Sequence, residues 1–141
     1  MRQIRCLLAF LVIFFWANPL LAADAKGSNL INCDIQQAAC IQQLPGCEIT
    51  FDIHPKPVKA MKDLRFQVSI VGKQPDADPH IDLGMPGMDM GPNRVDLKPT
   101  GNGVFKGKGI IVRCPSGRRT WSAKVTLPGC GMVEFIFDVI Y

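Results

Sequence analysis

The sequence predicts an all-β chain: an immunoglobulin-like β-sandwich of about seven antiparallel strands behind an N-terminal signal segment. Three observations carry this. Apolar and polar residues alternate at a period of two in segment after segment, which marks strands with one buried face. Breaks rich in proline and glycine separate those segments at short intervals. No stretch keeps a long helical period.

The elements follow in order. Ile49, Phe51 and Ile53 alternate, and so do Leu64, Phe66, Val68 and Ile70. A strand at His80–Gly84 precedes Val95 and Leu97. The stretch from Gly103 to Val112 ends in Ile110-Ile111-Val112. Trp121, Ala123, Val125 and Leu127 alternate, then Val133, Phe135, Phe137 and Val139. Turn residues fall at Pro55-Lys56-Pro57, Lys73–Asp76, Gly101–Gly103, Pro115–Gly117 and Pro128-Gly129. The tryptophan that antibody domains carry on the third strand has no counterpart, so the architecture is expected without that core. Residues 26–46 carry few strand signals and read as an N-terminal arm. That leaves 47–141 as the sandwich domain.

Residues 1–25 read as a signal peptide. Arg2 and Arg5 give a positive start, and an apolar run extends from Cys6 to Ala17. Asn18-Pro19 breaks it, and Ala23-Asp24-Ala25 has the small-residue pattern of a cleavage site. The run is short for a membrane span, which needs about 20 residues. Cleavage and retention as an anchor both stay open, with cleavage the leading reading. A periplasmic or secreted protein without stable membrane insertion is therefore expected. The chain has 16 basic and 12 acidic residues. Loss of Arg2, Arg5 and Asp24 with the signal leaves about +3, too little to argue for a nucleic-acid partner or an anionic membrane.

Antiparallel strands alternate direction, so successive connections alternate between two ends. The connections after Ile53, Gly84 and Arg113 fall at one end, the top. Those after Val71, Pro99 and Leu127 fall at the bottom. The top collects His54, residues 85–90, Cys114 and Arg118-Arg119; the bottom collects Cys47, His80 and Cys130. This sorts the cysteines. Beyond the signal stand Cys33, Cys40, Cys47, Cys114 and Cys130, an odd set that leaves one thiol over in an oxidising compartment. Cys114 and Cys130 flank a strand that holds them roughly 26 Å apart, whereas a disulfide needs less than about 7 Å. The expected pairs are Cys33–Cys40 and Cys47–Cys130, with Cys114 free at the top.

Beside Cys114 the chain places Met85, Met88 and Met90, half of its six methionines, in a turn made by Pro86, Gly87, Gly91 and Pro92. Thioether, thiolate and imidazole suit a soft ion, so Met85, Met88, Met90, Cys114 and His54 form a candidate Cu(I) site. Arg118 and Arg119 would favour the Cys114 thiolate. Two other readings stand beside it. The methionines can plug the open end of the sandwich over a buried, inert Cys114, or they can serve as an apolar contact for a protein partner in the envelope. His80, beside Asp78 and Asp82, reads as a surface histidine. The sequence contains no His-Glu-x-x-His, nucleophile elbow, Gly-rich phosphate loop or Cys-x-x-Cys, and only two histidines, so no enzyme is predicted.

Four runs resemble YtkA-like domains: Asp82–Val95, Gly103–Gly109, Arg113–Trp121 and Pro55–Phe66. The resemblance spans about residues 48–140. It implies an exported immunoglobulin-like sandwich similar to FixH-type proteins, which are linked to assembly of copper-containing respiratory oxidases. FixH-type proteins keep a membrane anchor, and the short apolar run here departs from that. The expected function is an exported accessory protein. It would bind copper or a partner in metalloprotein assembly or envelope maintenance. The alternative is a structural or protein-interaction domain without metal.

Overall fold

Alternating residues build nine strands and no helix in the computed structural model, which describes residues 30–141. The expected signal peptide lies outside the described residues. The strands are β1 (Cys40–Leu44), β2 (Cys47–His54), β3 (Asp63–Gly72), β4 (His80–Gly84), β5 (Arg94–Asp96), β6 (Lys98–Gly101), β7 (Val104–Ile110), β8 (Thr120–Leu127) and β9 (Gly131–Asp138). One sheet runs β1-β2-β3-β7-β6 and the other β5-β4-β8-β9, every pairing antiparallel. The all-β sandwich is as the alternation predicts. Its β2-β3-β7-β6 and β4-β8-β9 groups follow the immunoglobulin order of four strands against three.

The inner faces carry the predicted residues. Phe51 of β2 stacks on Phe135 of β9 at 4.9 Å between ring centres, and lies 6.5 Å from Phe66 of β3. All three are fully buried, as is Trp121. Cross-sheet aromatic packing of this kind fixes the two sheets face to face.

The strand count corrects the expected seven by two. The additions are β1 and β6, both edge strands. β1 is drawn onto β2 by a tight turn at Pro45-Gly46, with Gly46 at φ 84°. That is the type II geometry that proline followed by glycine favours. β6 is exposed along its whole length and contains Pro99, which only an edge tolerates. The arm assigned to 26–46 therefore includes a strand of the first sheet.

Each open side of the sandwich is closed differently. On one side the chain crosses from β5 to β6 through buried Leu97, over β7. Gly107 and Gly109 face inward there, and a Cβ on Gly107 would stand 2.5 Å from the Asp96 carbonyl oxygen. The crossing therefore needs glycine beneath it. On the other side, residues 32–42 cover the edge of β9. The Asn32 and Cys33 amides donate to the Ile136 carbonyl, and Asn32 Oδ1 accepts from the Ile136 amide at 2.8 Å. The Gln36 amide bridges the Val58 and Asp138 carbonyls, and Gln42 donates to the Glu134 carbonyl. The Cys33–Cys40 disulfide pins this segment, as expected. An edge left open would offer unpaired backbone groups to other chains.

Candidate functional site

The top end gathers the connections 55–62, 85–93 and 111–119. The inward alternation of Ile81 and Leu83 continues into Met85, which is buried. Pro86 and Gly87 then reverse the chain. The Met88 amide donates to the Met85 carbonyl at 3.1 Å, and Gly87 takes φ 72°, again a type II turn. A second reversal follows, in which Asp89 Oδ1 accepts from the Gly91 amide at 2.9 Å. Met88 and Met90 are half-buried and packed on the core. With Met85 they line an open hollow of about 570 Å³. The methionine loop is thus folded onto the sandwich rather than extended into solvent.

Across from it, Cys114-Pro115-Ser116-Gly117 forms its own turn, closed by the Gly117 amide on the Cys114 carbonyl at 3.0 Å. Cys114 is 2% exposed. Its sulfur lies 3.9 Å from Met88 Sδ and 3.0 Å from Ser116 Oγ. The Ser116 hydroxyl, the backbone amides of Ser116 and Arg118, and the Arg118 charge hold the thiol below its ordinary pKa, outweighing the opposing effect of burial.

One tie joins the two loops, and a second braces the Cys114 turn from within. An Arg118 guanidinium nitrogen donates to the Pro86 carbonyl at 2.9 Å. The Tyr141 hydroxyl accepts from the Cys114 amide at 3.1 Å and donates to the Arg118 carbonyl, while the Arg113 guanidinium lies over its ring.

Of the five candidate ligands, the structure brings Met88 and Cys114 into direct contact, and Met85 and Met90 share with Met88 the lining of a hollow that Cys114 does not line. His54 is a correction. The inward residues of β2 are Cys47, Ile49, Phe51 and Ile53, so His54 points out from the first sheet. Its Nε2 stands 2.9 Å from Asp52 Oδ2, and it lines a shallow hollow with Arg65, Phe66, Gln67 and Lys106 instead. His80 is at the bottom beside Asp82, as expected. Ser116 and Tyr141 are members of the site that the sequence reading missed. Ser116 was legible as the polar residue inside a turn that begins at the thiol. Tyr141, distant in sequence, left no such signal.

The Cys47–Cys130 bond expected from the sequence is not formed in the structure. Cys47 and Cys130 are free thiols in the structure, although both lie at the bottom as the end-sorting requires.

The donor set is one of sulfur. Among the described residues no group of three or more His, Cys, Asp or Glu side chains is placed to hold a metal ion. The sulfur pair suits a soft ion better than a hard one. Metal–sulfur bonds of about 2.3 Å put two ligand sulfurs about 3.8 Å apart in a tetrahedral shell and about 4.0 Å apart in a trigonal one. The observed 3.9 Å lies between these values. Among the described residues no helix is long and apolar enough to cross a membrane. The Cys33–Cys40 bond is of the kind that persists in oxidising compartments. Comparison with protein-family models, with curated proteins and with solved structures found no match.

Proposed function

We propose that this protein is an exported accessory domain that holds Cu(I) at its top end, between Cys114 Sγ and Met88 Sδ, with Met90 or Met85 completing the shell. The observation that carries the reading is the 3.9 Å sulfur–sulfur contact at a thiol whose surroundings favour the thiolate. A thiolate neutralises the charge of Cu(I), and thioethers add soft donors that have no proton to lose. The resemblance to YtkA-like domains supports a role in metallation of an envelope enzyme such as a respiratory oxidase. The Cys33–Cys40 bond supports an extracytoplasmic location.

A titration against a chromogenic Cu(I) chelator tests this. Wild type competes for one equivalent, Met88→Leu competes less well, and Cys114→Ala competes least. Zn(II) and Mg(II) bind weakly or not at all. Equal competition by wild type and both variants, with the fold intact, overturns the proposal.

A second reading is a protein-contact surface at the same end. Met61, Ile110, Val112 and Ile140 are all exposed. The backbone bonds Met61 N to Ile111 O and Ala60 N to Ile140 O draw them together. Four large apolar side chains on one end suit an envelope partner. Replacing Met61 and Ile110 by Ser separates the readings: partner capture falls while copper binding stays.

A further inference from the structure

The bottom end holds chemistry that the copper reading does not use. Cys47 opens β2 and pairs with Gly72 of β3. The chain that follows Gly72 folds over it, with the Lys73 amide on the Gly46 carbonyl at 2.9 Å. The same segment grips the β8–β9 turn: the Asp76 amide donates to the Pro128 carbonyl at 2.8 Å, and Lys73 Nζ donates to the Gly129 carbonyl. That grip is close, since a Cβ on Gly129 would overlap the Asp76 carboxylate. Cys130 closes the turn by donating its amide to Leu127 O. Its sulfur lies 3.5 Å from the Gln74 carbonyl oxygen and 3.7 Å from that of Lys73. Two thiols from opposite sheets thus converge on one short segment, Gly72–Gln74. They differ in access: Cys47 is 5% exposed, whereas Cys130 is half-buried.

We propose that Cys47 and Cys130 form a thiol–disulfide exchange site, with Cys130 the attacking thiol, Cys47 the resolving thiol and a small disulfide as oxidant. Cys130, as its thiolate, attacks one sulfur of the oxidant. A mixed disulfide forms on Cys130, and the first oxidant thiolate leaves. Cys47 then attacks the Cys130 sulfur, the intramolecular bond forms, and the second thiolate leaves. Two electrons pass to the oxidant, and the two thiol protons end on its two halves. Burial and the neighbouring Cys130 thiol push the Cys47 pKa up, while Lys73 pulls it down. The product joins the first sheet to the second and closes a loop of about 84 residues, at the end opposite the copper site.

The experiment starts from fully reduced full-length protein. Glutathione disulfide is the probe, and samples are quenched by acid and mapped as peptides without reduction. Wild type is expected to show Cys33–Cys40 and Cys47–Cys130, with Cys114 unbridged. Cys47→Ala is expected to accumulate a glutathione adduct on Cys130, and Cys130→Ala to take up none on Cys47. A lasting glutathione adduct on Cys130 in wild type, or Cys47 and Cys130 both left as thiols there, overturns the proposal. So does a bond from either of them to Cys114. The wild-type map decides by itself if a variant fails to fold. It involves no metal, so it stands or falls separately from the copper reading.

Discussion

Gly107→Ala is the sharpest probe of how the β5–β6 crossing is built. The added methyl would meet the Asp96 carbonyl oxygen at 2.5 Å, Val95 Cγ1 at 2.7 Å and Leu97 Cδ2 at 3.0 Å. The first of these is backbone, and the two side chains are anchored, being 1% and 0% exposed. None can swing away as a lysine tip could. Overpacking of this kind costs about 1–3 kcal/mol. Alanine returns about 0.4–1 kcal/mol by restricting the unfolded chain, because the glycine does not sit at a left-handed φ. The net is a loss of about 1–2 kcal/mol. At about 4–8 °C per kcal/mol for a domain near this size, Tm falls by roughly 5–15 °C. Gly84→Ala is the matched control. It lies at the end of β4, and its Cβ would have only Ser122 Oγ nearby, at 3.9 Å. There only the unfolded-state gain remains, and Tm holds or rises by a few degrees. Thermal unfolding followed by Trp121 fluorescence measures both. Equal Tm values for the two variants would refute the close-approach reasoning.

Other expectations follow from the site and the arm. Ser116→Ala removes the main group that lowers the Cys114 pKa, so the pH midpoint of Cys114 alkylation, read in a Cys47→Ala/Cys130→Ala background, moves up; an unchanged midpoint contradicts the assigned cause. The sign for stability follows from the same shift: between the folded and unfolded thiol pKa values the unfolded chain binds more protons. Stability from Cys114 is therefore present above the unfolded value and lost as pH falls through the folded one, which denaturant midpoints across alkaline pH in wild type and Ser116→Ala will reveal. Arg118→Ala frees the Pro86 carbonyl and loosens residues 85–90, which should weaken Cu(I) binding about fivefold while Tm stays within a few degrees. Cys33→Ala/Cys40→Ala opens a loop of sequence separation 7 and should cost about 2.5 kcal/mol in urea unfolding, with faster hydrogen exchange at the Ile136 and Val58 amides that the arm covers.

The strands of the core were legible because each has one wet face, so alternation shows in the residues themselves. β1 and β6 were not, because an edge strand can be defined by its partner alone. Nothing in Lys98-Pro99-Thr100-Gly101 alternates, and all four residues are exposed; only pairing with β7 makes them a strand. Closure by the arm was hidden for a similar reason: Asn32, Gln36 and Gln42 satisfy backbone groups about 90–100 positions away or more, and amide side chains carry no mark of such a task. The placement of His54, by contrast, was available and overlooked. If Ile49, Phe51 and Ile53 face inward, the residue after Ile53 must face out.

The grouping of the sulfur residues was legible because it depends on strand direction, which antiparallel pairing dictates, rather than on side-chain detail. Cys114 reached Met88, and Cys47 and Cys130 reached one segment at Gly72–Gln74, without any local sequence cue linking them. The two ends then diverge through their immediate surroundings. At the top, a serine hydroxyl and backbone amides aim at the sulfur and favour its anion. At the bottom, carbonyl oxygens approach Cys130, and burial disfavours the Cys47 anion. Amides and a hydroxyl suit a thiolate that holds a cation; at the bottom it is the convergence of two thiols on one segment that suits exchange. β8 keeps the two centres apart, its eight residues spanning about 26 Å between the connections that bear Cys114 and Cys130. Exchange at the bottom can therefore run to its disulfide without capturing the thiol at the top.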